Sequence, residues 1–362
     1  MAQKPASECE GTNSPSEHPV PGEGKEGGRK KRFRLLTKGR FFALLLVAIG
    51  GTAFAGYGHY TDPGPLQSER VIVIPKGGVD RVVAALQDNG VIARGAVSSL
   101  FFKVAMYVTR SQGSIHAAEL RFPEQVSMAH SLDILRRGRP VTHSLTIPEG
   151  LTAKHITTVL MQAPALQGKL PIIAEGQVAP QTFFYVWGME RQVLLQHMTN
   201  LMTKTLQDVW AGRDQVALQG VITSPEELLI LASLIERETS VAEERPQVAR
   251  VFLNRLKQGM KLQTDPTVIY ALSGGEGTLP RPLTHEDLQF DSPYNSYLHS
   301  GLPPGPICSP GRASLEAAAH PAMGDALYFV ATGHGGHSFA RTLTEQTNHI
   351  RAYRRVKKAI SP

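Results

Sequence analysis

The 362-residue chain is long enough for two modest domains plus tails, and its 41% hydrophobic content is enough for a packed core. Much of the excess behind the net charge of +7 lies before residue 41, and later Lys and Arg are interspersed with acids; this argues for a membrane-proximal tail and against a nucleic-acid surface. Of the two cysteines, Cys9 lies in a polar tail and Cys308 in a Pro/Gly loop, with no metal-ligand spacing and, given the apolar span between them, no expected disulfide.

Residues 1–28 are rich in Gly, Pro, Ser and Glu, a composition that predicts disorder. A basic run follows over 29–40, and then 41–61 carries no Asp, Glu, Lys or Arg. About 20 such residues span a bilayer. The expected organisation is a disordered basic cytoplasmic tail over 1–40 and a single transmembrane helix over 41–59. The basic flank places the N-terminus in the cytoplasm and 62–362 outside the inner membrane. A cleaved signal peptide is the alternative; Gly50, Gly51, Ala53, Ala55 and Gly56 are small enough for cleavage, but the long preceding tail fits it poorly.

Asp62-Pro63-Gly64-Pro65 punctuates the exit from the span. A strand is predicted over 71–74, then a helix containing Val82, Val83, Ala84 and Leu86, stopped by Asn89-Gly90. A helix over 98–109, a strand over 118–122 and a helix over 131–137 follow. A strand over 141–147 leads to a helix beginning near 148–152, and 192–210 reads as a long amphipathic helix.

The strongest signals lie in 222–270, which read as two helices and a polar loop. Ser224 can cap the first helix, Pro225 suits its first turn, and Glu227 completes a capping box. Leu228, Leu229, Ala232 and Ile235 recur at helical spacing and should face a core. Glu236, Arg237 and Glu238 come at the far end. A carboxylate at a helix C-terminus opposes the macrodipole, which favours its protonated form. Such a group is useful if it must hold a proton near neutral pH, although a solvated ion pair would also account for it. Gly259 should end the second helix, and Gln263, Thr264 and Asp265 form a polar loop closed by Pro266.

Beyond this stretch, 273–282 reads as a mobile Gly/Pro loop, 302–306 as a rigid turn, 314–319 as a helix and 327–332 as a buried strand. Gly333-His334-Gly335-Gly336-His337 lacks the lysine of a phosphate cradle and the third ligand of a zinc site, so a hairpin turn is expected. Residues 344–358 form a basic terminal helix with a solvated face, and no internal repeat is present.

Glu-Arg-Glu-Thr at 236–239, Glu-Glu-Arg-Pro-Gln-Val-Ala at 243–249, Val-Phe-Leu-Asn-Arg-Leu at 251–256 and Leu-Gln-Thr-Asp-Pro-Thr-Val-Ile-Tyr at 262–270 resemble the YceG-like family of endolytic murein transglycosylases. The resemblance continues through Pro-Tyr-Asn-Ser-Tyr at 293–297, Gly-Leu-Pro-Pro-Gly-Pro-Ile at 301–307, Ala-Ala-Ala-His-Pro at 317–321, Leu-Tyr-Phe-Val-Ala at 327–331 and Gly-His-Ser-Phe at 336–339. It implies a mixed α+β fold: the transmembrane helix, a small LysM-like subdomain over 66–140, and a catalytic domain over 141–362. The LysM-like part would engage glycan or serve as a spacer, since fold alone does not give function. Where relatives show an aromatic before the proline and an acid after it, this chain has Ala179 and Gln181, which puts the local cleft wall in doubt.

By the same resemblance the chain is a lyase without cofactor or metal. It acts on peptidoglycan glycan strands at the periplasmic face of the inner membrane, with peptidoglycan synthases as partners. One carboxyl protonates the leaving oxygen and then, as carboxylate, takes the C6 hydroxyl proton of N-acetylmuramic acid to close a 1,6-anhydro ring. The family motif maps that carboxyl onto Glu238, with Glu236 as runner-up; two residues apart on a helix, they point about 200° from each other. Gln263, Thr264, Asp265, Tyr294 and Asn295 are candidates for binding sugar or orienting the acid. Two other readings stay open: a non-catalytic glycan-binding scaffold, and a hydrolase in which Asp265 supplies a second carboxylate.

Overall fold

The computed structural model describes residues 30–360, with side chains over 40–359. It divides into two units, the first ending at Asp62 and the second running from Pro63 to the C-terminus. In the first unit, helix α1 covers Lys30–Thr61. Its segment Arg40–Thr61 is long and apolar enough to cross a membrane and has no buried part. At 1.5 Å per residue those 22 residues span about 33 Å, close to the thickness of a hydrocarbon core. Residues 30–40, which fall in the expected tail, are helical; the rest of that tail lies outside the described residues.

The second unit begins with β1 (Arg70–Val73), α2 (Val79–Asp88), α3 (Ala96–Val108), β2 (Glu119–Phe122) and α4 (Met128–Arg137). β1 and β2 pair antiparallel, with Ile72 opposite Leu120. Gly90, in a left-handed conformation (φ 75°), follows α2 as its sequence predicts. Ile74, Leu86, Phe102, Phe122 and Leu132 are fully enclosed and lie outside the large hydrophobic cluster, which spans 147–319. The expected boundary at 140/141 lies inside the single unit that begins at Pro63. Hydrogen bonds cross it: Val141 N–H donates to Glu119 O at 2.8 Å, and His143 Nε2 lies 2.5 Å from Glu119 Oε2.

Next come β3 (Thr142–Thr146), α5 (Ala153–Gln162), β4 (Thr182–Val186), α6 (Arg191–Gly212) and the short α7 (Gln215–Leu218). β4, which pairs antiparallel with β3, is absent from the predicted elements. Its five residues alternate between exposed and buried, but the run is too short to stand out beside Pro180 and Gly188.

The central helix α8 (Pro225–Glu238) packs against α6, α9 (Arg245–Lys257), α10 (Asp265–Leu272) and α11 (Arg312–Ala319). Its cap follows the sequence: Ser224 Oγ accepts from Glu227 N–H at 3.2 Å, and Pro225 opens the first turn. The return bond reaches one residue beyond a standard capping box, since Glu227 Oε2 accepts from Thr223 N–H at 2.6 Å. Leu228, Ala232 and Ile235 are fully buried, with Leu229 partly so. At about 1.5–3 kcal/mol per fully buried aliphatic side chain, such a face outweighs the helix's own propensity in holding it in place.

The chain closes with the antiparallel hairpin β5 (Tyr328–Ala331) and β6 (His337–Ala340), and with α12 (Leu343–Ile360). The hairpin turn is where the glycines and histidines predict it. β5 is half-buried throughout, where a buried strand is expected. α12 is tied to β5 by Gln346 Nε2–H donating to Phe329 O at 3.0 Å.

Candidate active site

Glu238 is the last residue of α8 and is half-buried there, so its carboxyl leaves the helix where the backbone carbonyls are unpaired. Thr264 comes to it from the loop before α10. Thr264 holds the N-cap position of α10 but makes no side-chain cap; its hydroxyl instead donates to Glu238 Oε2 at 2.6 Å.

The backbone of Thr264 is fixed by buried hydroxyls. Its N–H donates to Ser296 Oγ at 3.0 Å, its carbonyl accepts from Thr267 Oγ1 at 2.8 Å, and the two hydroxyls lie 2.8 Å apart. Gln263 adopts a left-handed conformation (φ 52°), unusual for a side-chain-bearing residue. Such a conformation costs on the order of 1–3 kcal/mol unless its surroundings impose it. Here Gln263 N–H donates to Ser296 O at 3.1 Å. Arg255 of α9 clasps the same loop, with Nη1–H donating to Leu262 O at 2.8 Å and to Lys261 O at 3.2 Å.

Burial is the largest influence on Glu238 and raises its pKa; the nearby Asp265 charge acts in the same direction. The Thr264 hydrogen bond, His337 and Arg255 pull the other way, and the net result is a carboxyl above its ordinary range. His337, in the hairpin, is held by Glu244: Nδ1 lies 2.7 Å from Glu244 Oε2, and the His337 N–H donates to Oε1 at 2.6 Å. Burial pushes Glu244 up, but these bonds from His337 outweigh it and leave its pKa lowered.

The other predicted residues separate into different surroundings. Asp265 and Gln263 are exposed, and Asp265 Oδ1 accepts from Tyr297 Oη–H at 2.6 Å. Tyr294 stacks obliquely on Tyr270, with ring centroids 5.0 Å apart. Asn295 has 0% exposure; its Nδ2 donates to Leu288 O and Phe290 O, and its Oδ1 accepts from Tyr297 N–H. These bonds commit the enclosed Asn295 amide to its own loop. Glu236 points away from Thr264, accepting from Gly311 N–H at 2.9 Å and lying 3.8 Å from Arg245 Nη2. The 200° separation on the helix is thus realised as two different neighbourhoods.

The two altered positions lie in different surroundings. Ala179 is 6% exposed within the large hydrophobic cluster, where a larger side chain would need room, and Gln181 faces solvent. A second perturbed carboxyl, Glu175, is absent from the predicted site. Burial raises its pKa, although Ala153 N–H donates to it at 2.8 Å and Tyr270 Oη–H at 3.1 Å. Its sequence signal is only its place at the head of the 175–183 segment, because no periodic element carries it. Arg255 and His337 lie inside motifs at 251–256 and 336–339, but neither motif shows that they converge on Glu238.

Cys308 is free and fully buried. Among the described residues no group of three His, Cys, Asp or Glu is placed to hold a metal ion. A cavity of about 490 Å³ lined by Asp208, Arg245, Arg312, Glu316 and His320 lies between α6, α9 and α11, and Glu238 does not line it.

The YceG-like family model matches residues 72–352. An endolytic murein transglycosylase of Bacillus subtilis (strain 168) is 46% identical over 130 residues, 36% of this chain and 35% of that protein. One of Streptococcus pneumoniae (serotype 2, strain D39) is 27% identical over 344 residues, 80% of this chain and 60% of that protein. The chain therefore spans about a third and about three fifths of the lengths of these two relatives. A crystal structure of a YceG-like protein from Listeria monocytogenes aligns with a TM-score of 0.47 at 28% identity, covering 78% of this chain and 98% of the other.

Proposed function

This chain belongs to the YceG-like family, and from that premise we propose that it is a membrane-anchored endolytic lytic transglycosylase of peptidoglycan. Glu238 serves first as general acid and then as general base. Its substrate is the bond between N-acetylmuramic acid and N-acetylglucosamine within nascent glycan strands.

In this reading, protonated Glu238 gives its proton to the glycosidic oxygen as the C1–O bond breaks and the bonding pair leaves with that oxygen. The sugar passes through an oxocarbenium-like state, which the C2 N-acetyl oxygen can stabilise. The Glu238 carboxylate then takes the proton of the C6 hydroxyl while O6 bonds to C1. The ring closes as 1,6-anhydro sugar, Glu238 is protonated again, and no water is consumed. A carboxyl that acts in both directions needs a pKa near the working pH. The observation that carries the reading is the placement of Glu238: at a helix C-terminus, raised by burial, with its Oε2 fixed by Thr264.

Exposed Gln263 and Asp265 supply polar contacts to sugar, and the paired rings of Tyr270 and Tyr294 offer an apolar face to it. Residues 66–140 are a LysM-like glycan-engaging element. Arg40–Thr61 is the anchor, with the N-terminus cytoplasmic, the catalytic part periplasmic, and peptidoglycan synthases as neighbours. Mass analysis of peptidoglycan digested by the purified chain tests the reaction. Anhydro ends support it; ordinary reducing ends would make Asp265 a second carboxylate of a hydrolase; absence of products would leave a glycan-binding scaffold.

A further inference from the structure

The helix α3 carries an apolar stripe that nothing in its own unit covers. Val97, Leu100, Val104, Tyr107 and Val108 recur at three- and four-residue spacing and are 51–83% exposed, while Ser98 and Phe102 face inward. A contiguous exposed apolar stripe of this kind marks an interaction surface more often than a scatter of single residues does.

The charges that the segment carrying the stripe contributes are of one sign. Residues 89–118 contain no Asp or Glu, and their cations are Arg94, Lys103 and Arg110. The Arg110 guanidinium sits 4.5 Å from the centroid of the Tyr107 ring. Asp80, of α2, is the acid that meets this set, 2.5 Å from Lys103. An apolar face bordered by cations and a tyrosine has the chemistry of a helix lying in a bilayer interface, where the ring sits at headgroup level and the cations meet lipid phosphates. The covalent chain points to the same occupant. The candidate span ends at Thr61, and Leu66 is already a buried residue of the second unit.

We propose that α3 docks on the bilayer that holds the anchor, with its stripe in the interface of an anionic leaflet. The proposal rests on Arg40–Thr61 being a membrane anchor. Docking would hold residues 66–140 against the membrane and so set the height at which glycan reaches the rest of the unit.

The test uses the full chain with Cys9→Ser, leaving Cys308 buried and unreactive. Leu100→Cys, or Met323→Cys as a control at a site 93% exposed, carries an environment-sensitive fluorophore. Each protein is reconstituted in phosphatidylethanolamine vesicles containing phosphatidylglycerol, with or without doxyl-labelled lipid, and thermal melts verify folding. Quenching at residue 100 should exceed that at residue 323 roughly twofold or more, and Lys103→Glu with Arg110→Glu should reduce it. A chain that floats with vesicles but shows equal quenching at both sites overturns the docking while leaving the anchor intact. A chain that does not float overturns the anchor and the docking with it. Shielding of residue 100 by soluble peptidoglycan fragments, with no quenching by lipid, would give the stripe to glycan and also overturn the proposal.

Discussion

The Thr264 hydroxyl donates to Glu238 Oε2 at 2.6 Å, joining two residues 26 positions apart. The bond sets which carboxylate oxygen stays free and works against the burial that raises the Glu238 pKa. It ties the proposed acid to a loop whose backbone is locked by the Ser296 and Thr267 hydroxyls.

Glu238→Gln should lower release of anhydro-muropeptides by about 10²–10⁴-fold, the usual contribution of a positioned general acid–base. Near-normal release from a folded variant, measured by mass spectrometry, would remove Glu238 from the role. The same substitution has a stability signature. The raised pKa means that the folded state binds this proton more tightly than the unfolded state does. Wild-type stability therefore falls as pH rises from the ordinary carboxyl value of 4.5 through the raised one, and the variant escapes that loss. Thermal melts should favour the variant at neutral pH, with the gap closing in acid below the ordinary value.

Thr264→Val removes the hydroxyl and keeps the shape and the backbone bonds of the loop. The lost hydrogen bond favoured the carboxylate, so the Glu238 pKa should rise further. The alkaline limb of the pH–rate profile, where a general acid loses its proton, should move to higher pH. An unchanged limb in a folded variant would show that Thr264 does not tune the group that titrates in catalysis.

Glu236→Gln should leave anhydro release within a few-fold of wild type. The amide oxygen can still accept from Gly311 N–H, and the side chain points away from Thr264. Glu236→Ala strands that buried N–H and the nearby Arg245, a loss of about 1–3 kcal/mol by chemical denaturation. Selective loss of activity in Glu236→Gln would instead move the acid two residues back along the helix.

Glu244→Ala should cost about 1–3 kcal/mol, because it removes both acceptors of His337. The lowered Glu244 pKa gives the sign. Its contribution is complete above the ordinary carboxyl value and is lost as pH falls through the lowered one, so the wild-type advantage should shrink in strong acid. A pH-independent gap would assign the loss to packing.

The sequence by itself determined what is local. The Ser224 cap, the Gly90 and Gly259 stops and the His337 hairpin follow from residues within a few positions of one another, where backbone conformation and short-range hydrogen bonds decide. The opposite orientation of Glu236 and Glu238 follows from helix geometry alone. Only the tertiary structure decided which distant groups meet. Thr264 abandons a helix cap for Glu238, Asn295 is enclosed by its own loop, Ala179 enters the core, and burial raises the Glu175 pKa despite the hydrogen bond from Tyr270. Burial and long-range hydrogen bonding depend on how elements pack, and a residue's type and spacing do not encode which neighbour will desolvate it.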